Sequence, residues 1–235
     1  MEKDCLHIKI QQNMVNKVRN GIVWISTPKC ATSTCAKHLE EFCDWKGMKY
    51  TERNRHDVMA PKHYVNLGHL FSGNVNWEVV KNDDRAVIGS IRNPMDRFIS
   101  HYSHHISFGN RFKGYEGNIS KFYLENNQNT TLENGFKTLN NYMVKYLGVG
   151  DDEAWDAELL KKRYDFFFIS EDIPQSLEKF KKFTGYNFKN KELKTNITEK
   201  QKIYKSKKFK EEFIKNNEND YELYNFILEN YGFKK

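Results

Sequence analysis

Long hydrophobic runs are missing from this 235-residue chain. No 18 apolar residues follow one another, and Met1 to Asn20 is polar, with nothing resembling the apolar core of a secretory signal. With Met1 as the native start, a cytoplasmic protein without a membrane segment is expected. Cysteine is scarce as well: Cys5, Cys30, Cys35 and Cys43 form no C-x-x-C pair and have no histidine at zinc spacing. Reduced thiols are therefore expected, with no metal and no disulfide framework. Internal repeats are absent, so 235 residues and 28.0 kDa fit a single domain over 1–235, long enough to bury a real core. What is plentiful is positive charge. Lys+Arg 38 against Asp+Glu 31 gives +7, and nine lysines fall between Lys189 and Lys210. That balance suits a polyanionic partner, although a lysine run is also what an ordinary solvated face looks like. Three N-x-S/T triplets, at Asn118, Asn129 and Asn196, are what chance gives in so asparagine-rich a chain.

Buried-type strands are read at Gly21 to Thr27, Ala86 to Ile91 and Tyr164 to Ile169, with a short one at Met48 to Thr51. Helical patterns run over Ser33 to Trp45, Met95 to Ser107, and about 119–127, 133–146, 154–163, 173–184, 207–216 and 219–230. Glu52 to Asp84 reads as irregular, and a long irregular stretch in a compact domain is more often functional than idle. Strands alternating with helices predict a parallel sheet covered on both faces, with ligands beyond the carboxyl ends of the strands. A core of about 20–185 is expected, followed by a basic loop and C-terminal helices over 186–235.

Two junctions carry the chemistry. Ser26-Thr-Pro-Lys29-Cys30-Ala31-Thr32-Ser33-Thr34 and Arg92-Asn93-Pro94-Met-Asp96-Arg97-Phe-Ile-Ser100 each follow an apolar β-branched run and lead into a helix. The unpaired N–H groups of a helix start attract anions, and Lys29, Thr32, Ser33 and Thr34 reinforce the first start, Arg92 and Ser100 the second. Two phosphate sites imply a doubly phosphorylated ligand. A kinase-type phosphate loop fits poorly, because Thr27 to Thr34 has no glycine and Arg92 stands where a Mg²⁺-binding Asp is expected. A sulfuryl group carries one charge less than a phosphoryl group, so lysine, arginine and helix amides can neutralise its transfer without metal.

Pro28-Lys29-x-Ala31-Thr32-Ser33-Thr34 resembles the 5′-phosphosulfate loop of sulfotransferases that use 3′-phosphoadenosine 5′-phosphosulfate (PAPS), and Arg92-Asn93-Pro94-x-Asp96-Arg97-x-x-Ser100-x-Tyr102 resembles their 3′-phosphate motif. Within that superfamily the likeness is nearest to heparan sulfate and uronyl 2-O-sulfotransferases, through Pro-Lys-x-Ala-Ser/Thr, Gly68-His69 and the helix running into Phe108-Gly109. The resemblance implies a P-loop-like three-layer α/β/α fold with a central parallel sheet and a helical C-terminal part. It implies PAPS as donor, 3′-phosphoadenosine 5′-phosphate (PAP) as product, and a hydroxyl acceptor, a sugar or glycan, rather than nucleic acid. It also implies Lys29 at the leaving phosphate, Cys30, Ala31, Thr32, Ser33 and Thr34 around the 5′-phosphate, Arg92 and Ser100 at the 3′-phosphate, Lys194 and Thr195 on a late loop over the cofactor, and His69 as general base. His63, His101, His104, His105, Glu52, Asp57 and Glu171 are alternative bases, while His104, Arg111 and Lys113 are expected to grip the acceptor. Asp96 and Arg97 are open between a ligand role and a structural one. Rival readings are a non-catalytic nucleotide- or polyanion-binding protein, a nucleotide kinase, and a sulfotransferase of a small cytosolic metabolite.

Overall fold

The computed structural model describes residues 16–51, 59–68, 70–108, 114–127, 139–189 and 205–233. Among the sequence-predicted residues, Glu52, Asp57, His69, Arg111, Lys113, Lys194 and Thr195 lie outside that set. The chain divides into two compact units, Met1–Ile91 with Glu158–Thr195, and Arg92–Ala157 with Asn196–Lys235.

The first unit is built on a five-stranded parallel sheet in the order β2-β3-β1-β4-β5: β1 Ile22–Ile25, β2 Lys49–Tyr50, β3 Tyr64–Val65, β4 Ala86–Ile91 and β5 Phe166–Ile169. β1 lies beside β4 with Ile25 opposite Gly89, and β4 beside β5 with Ile91 opposite Ile169. The sequences IVWI, AVIGSI and FFFI are buried throughout, as strands covered on both faces must be. Phe166 and Phe168 both meet Phe180 at 5.5 Å on helix α8 (Ile173–Thr184), and Phe180 meets Phe42 at 5.4 Å on α2 (Thr32–Lys46). Phe167 points to the other face, stacking on Tyr164, whose ring contacts Trp77 of α3 (Trp77–Asn82). This is the expected α/β/α layering of a P-loop-like fold. Gly89 is small for a packing reason: a Cβ there would run into the Phe167 ring.

The stretch read as irregular contains β3, a 3-10 turn at Ser72–Asn74 and α3. Two-residue strands and a six-residue helix are too short to show a period, which is why pattern reading passes over them. β5 starts at Phe166 rather than Tyr164, since Asp165 turns its carboxylate to the Val87 N–H (2.9 Å) and the Lys17 ammonium (2.9 Å). The 133–146 pattern yields helix only at α6 (Tyr142–Leu147), with 133–138 outside the described residues, and 154–163 narrows to α7 (Ala157–Arg163). The C-terminal pair is close to expectation.

The second unit is helical: α4 (Pro94–Phe108), α5 (Ile119–Asn126), α6, α9 (Lys207–Asn216) and α10 (Glu218–Asn230). Phe98, Tyr102, Phe122, Tyr123, Phe209 and Phe213 form its buried aromatic core. Phe98 sits 5.3 Å from Tyr123 and 5.1 Å from Phe213.

One buried group makes the first unit sensitive to acid. His38 on α2 is 0% exposed, lies edge-on to Phe188 at 5.3 Å, and neither ring nitrogen has a hydrogen-bond partner among the described residues. Burial pushes its pKa below 6.5, opposed by the charge of Glu41. Below about pH 6.5 the unfolded chain takes up a proton that the folded chain refuses, so stability falls as pH drops, by at most about 1.4 kcal/mol per pH unit. The expected outcome is a shallower fall of melting temperature toward acid in His38→Leu than in the parent chain. Parallel acid slopes for the two proteins would mean that His38 titrates freely.

Candidate active site

β1 ends at Ile25, and Ser26 and Thr27 carry the buried chain on to a turn in which the Cys30 N–H donates to the Thr27 carbonyl (3.2 Å). Lys29 (φ 67°) and Ala31 (φ 55°) are both left-handed, although neither is glycine. Such conformations cost on the order of 1 kcal/mol or more each and persist where the surroundings enforce them. Left-handed residues of this kind are a component of the backbone nests that bind anions. The lack of glycine therefore does not prevent this backbone from curling, contrary to the sequence-based expectation, although the order of Lys29 before the hydroxyl run still sets it apart from a kinase loop.

The helix that follows is open at its start. Ala31 occupies the N-cap of α2 with no side-chain cap, whereas Asn76, Asn118, Asp172 and Ser206 cap α3, α5, α8 and α9 with side-chain oxygens. Ala31 accepts from the N–H groups of Thr34 and Cys35 (both 3.0 Å). Lys29, Ala31, Thr32 and Ser33 are half-buried, while Cys30 and Thr34 are buried. The hydroxyl of Thr27 is buried with no partner among the described residues, as are those of Ser90 near the end of β4 and Ser170 just past β5. An orphaned hydroxyl, an uncapped helix start and a left-handed loop bearing a lysine fit a phosphate or sulfate.

The second junction is different. Pro94 opens α4 and the Asn93 side chain accepts from the N–H groups of Met95 (3.1 Å) and Asp96 (3.4 Å). Asn-Pro is thus a side-chain cap followed by proline at the first helical position, which the sequence does signal. Asn93 thus takes two of the leading donors of α4, and the side chains of Arg92 and Ser100 are what this corner has left to offer an anion. Arg92 and Ser100 are both half-buried, with Ser100 about 9 Å along the axis from the start of α4. Arg97 is turned inward: it is 3% exposed, with its guanidinium carbon 4.1 Å from the centre of the Tyr142 ring. That resolves the ambiguity at Arg97 toward a structural placement.

For the general base, the chain around His69 is informative. The Ser26 hydroxyl, at the end of β1, donates to the Gly68 carbonyl (2.9 Å), which also accepts the Leu70 N–H (3.1 Å), and the Gly68 N–H donates to Asn66 Oδ1 (2.9 Å). Both neighbours of His69 are thereby tied down beside the Lys29 loop. His63, by contrast, immediately precedes β3 and is held by the carbonyls of Asn20 and Arg19, just before β1. It lies at the amino edge of the sheet, opposite the loops, which removes it from the alternatives. Glu171 is exposed beyond β5. On α4 the rings of His101 and His105 are 4.4 Å apart, with His104 exposed. Among the described residues there is no cluster of metal-ligating side chains, and no helix long and apolar enough to cross a membrane.

The chain belongs to the sulfotransferase family, whose family model matches residues 12–227. No curated protein and no solved structure matches it. The family assignment covers both junctions and carries with it sulfuryl transfer to a hydroxyl acceptor.

If the left-handed turn is enforced by the loop, Ala31→Gly is expected to leave stability unchanged or raise it by up to about 1 kcal/mol, and Ala31→Val to lower it by about 1–2 kcal/mol. Urea unfolding of the two variants checks this. A Val that costs nothing would mean the turn is not held.

Proposed function

We propose that this sulfotransferase takes its sulfuryl group from PAPS and delivers it to a hydroxyl of a sugar or glycan, acting as one domain in the cytoplasm. The observation that carries the reading is the uncapped, left-handed Lys29 loop at the carboxyl end of β1, next to the strand that runs into Arg92. The donor supplies a sulfuryl group already activated as a mixed anhydride with the 5′-phosphate.

Around it the chain has four tasks. The amides of Ala31, Thr32 and Ser33 and the hydroxyls of Thr32, Ser33 and Thr34 hold the 5′-phosphate, the expected Cys30 and Thr34 amides being taken by the carbonyls of Thr27 and Ala31. Lys29 neutralises charge on the bridging oxygen as the S–O bond to that phosphate breaks. Arg92 and Ser100 hold the 3′-phosphate, and Lys194 and Thr195 close over the nucleotide. His69, neutral near pH 7, accepts the acceptor's proton while the acceptor oxygen bonds to sulfur, and the electron pair of the broken bond leaves on PAP. On the acceptor side, His104, Arg111 and Lys113 offer positive charge to an acidic sugar. No metal has a role in this scheme, and the sugar acceptor follows from the likeness to the 2-O enzymes at Gly68-His69 and the Lys29 loop.

Binding of PAP is expected to raise the melting temperature without added metal, and adenosine 5′-phosphate to do so much less. Equal shifts would remove the job given to Arg92 and Ser100. With labelled PAPS and a panel of sugars and small alcohols, a sugar is expected to accept label. Lys29→Ala and His69→Ala are each expected to lower turnover by about 10²- to 10⁴-fold, with PAP binding kept in His69→Ala. Full turnover in His69→Ala would pass the base role to another residue.

A further inference from the structure

The Arg97 guanidinium is a costly thing to bury. Its Nε and Nη1 have no hydrogen-bond partner among the described residues, and each unsatisfied buried donor costs on the order of 1–3 kcal/mol. A methionine or leucine at 97 would serve packing alone more cheaply. What meets the cation is the face of Tyr142, at 4.1 Å; burial pushes the pKa of Asp220 up, against which the N–H groups of Val144 and Met143, and then the charge of Arg97, favour its carboxylate form.

Both partners are themselves fixed. Asp220 is 1% exposed, and its two carboxylate oxygens accept the N–H groups of Met143 (3.1 Å) and Val144 (2.9 Å), in the first turn of α6. Asn141, at the N-cap of that helix, has φ 45° and no side-chain cap of its own, so Asp220 supplies the cap from far along the chain. The favour is returned: Asn141 Oδ1 accepts the Asp220 N–H (3.2 Å) in the first turn of α10, and Asn217 Oδ1 accepts the Asn141 N–H (2.9 Å). Two helix starts cap each other, and Tyr142, the first residue of α6, becomes an immobile platform for Arg97.

We infer that the Arg97–Tyr142–Asp220 cluster is a positioning device for the 3′-phosphate. It sets the rotation of α4 about its own axis. Ser100 lies three residues past Arg97, about 60° round the same helix, and Arg92 enters that helix two residues ahead of Pro94. An unspecific apolar contact at 97 would let the helix roll. A planar guanidinium over an aromatic face, whose ring is carried by a helix start that Asp220 caps, defines one orientation. The inference rests on the assignment of Arg92 and Ser100 to the 3′-phosphate, and none of the three residues is assigned a contact with ligand.

The test measures dissociation constants of PAP and of adenosine 5′-phosphate by calorimetry on the full chain. In the parent protein PAP is expected to bind more tightly. An absence of that preference overturns the assignment of Arg92 and Ser100, and the positioning role falls with it. Given the preference, Tyr142→Leu is expected to weaken PAP by about 10- to 100-fold while changing adenosine 5′-phosphate little, as sub-ångström to 1 Å misplacement does. Tyr142→Phe, which keeps the ring, is expected to restore it. KM for PAPS should rise in Tyr142→Leu with kcat at saturating PAPS nearly unchanged. Equal weakening of both nucleotides, or none, overturns the inference. If Tyr142→Leu does not fold, Arg97→Met decides: a melting temperature kept or raised together with lost preference for PAP supports positioning, and a preference left intact refutes it.

Discussion

Parallel pairing of β1 with β4 is the constraint on which the rest depends. Because neighbouring strands in this sheet run the same way, the chain leaves both at one edge, and the residues that follow Ile25 and Ile91 inherit that placement without any help from side chains. The strands can pair so only because they are apolar on both faces, and α2, one of the helices packed with them, begins at the Lys29 loop. Core packing and ligand chemistry therefore share the same few residues. Gly89 shows how tight the packing is: its missing side chain makes room for Phe167 three residues before Arg92.

The two junctions look alike in sequence but differ in what they can offer an anion. At the first, the backbone is bent into a left-handed path, the helix start has no side-chain cap, and Lys29 adds charge. At the second, Asn93 has already taken the helix's leading donors, which leaves Arg92 and Ser100 to act as side chains. A backbone cradle is rigid and its dipoles are fixed, whereas a half-buried guanidinium depends on what orients it and is more exposed to screening by salt. The inward cluster of Arg97, Tyr142 and Asp220 supplies that orientation.

Much of this was legible in the residues. Long, strongly patterned elements such as 173–184 and 207–216 appear where the periodicity puts them. The motif pair pointed to the family before any coordinates did. What stayed hidden was of two kinds. Short elements, β3 and α3 among them, carry too few residues for a period. Long-range side-chain roles leave no local mark either: nothing near Asp220 says that it caps a helix beginning at Tyr142, and nothing in Thr27 to Thr34 announces a left-handed path, since glycine, the usual sign, is missing. Nothing in the sequence around His63 says that it falls at the amino edge of the sheet, which only the direction of β3 shows.

The mutual capping of α6 and α10 has a consequence for synthesis. Asn141 and Tyr142 leave the ribosome long before Asn217 and Asp220, so α6 must wait with bare N–H groups for partners 76 and 77 residues downstream. The helical unit cannot lock until Asn217 and Asp220 have been made, and a chain stalled or clipped shortly before Asn217 would carry every residue of both motifs while the start of α6 stayed bare.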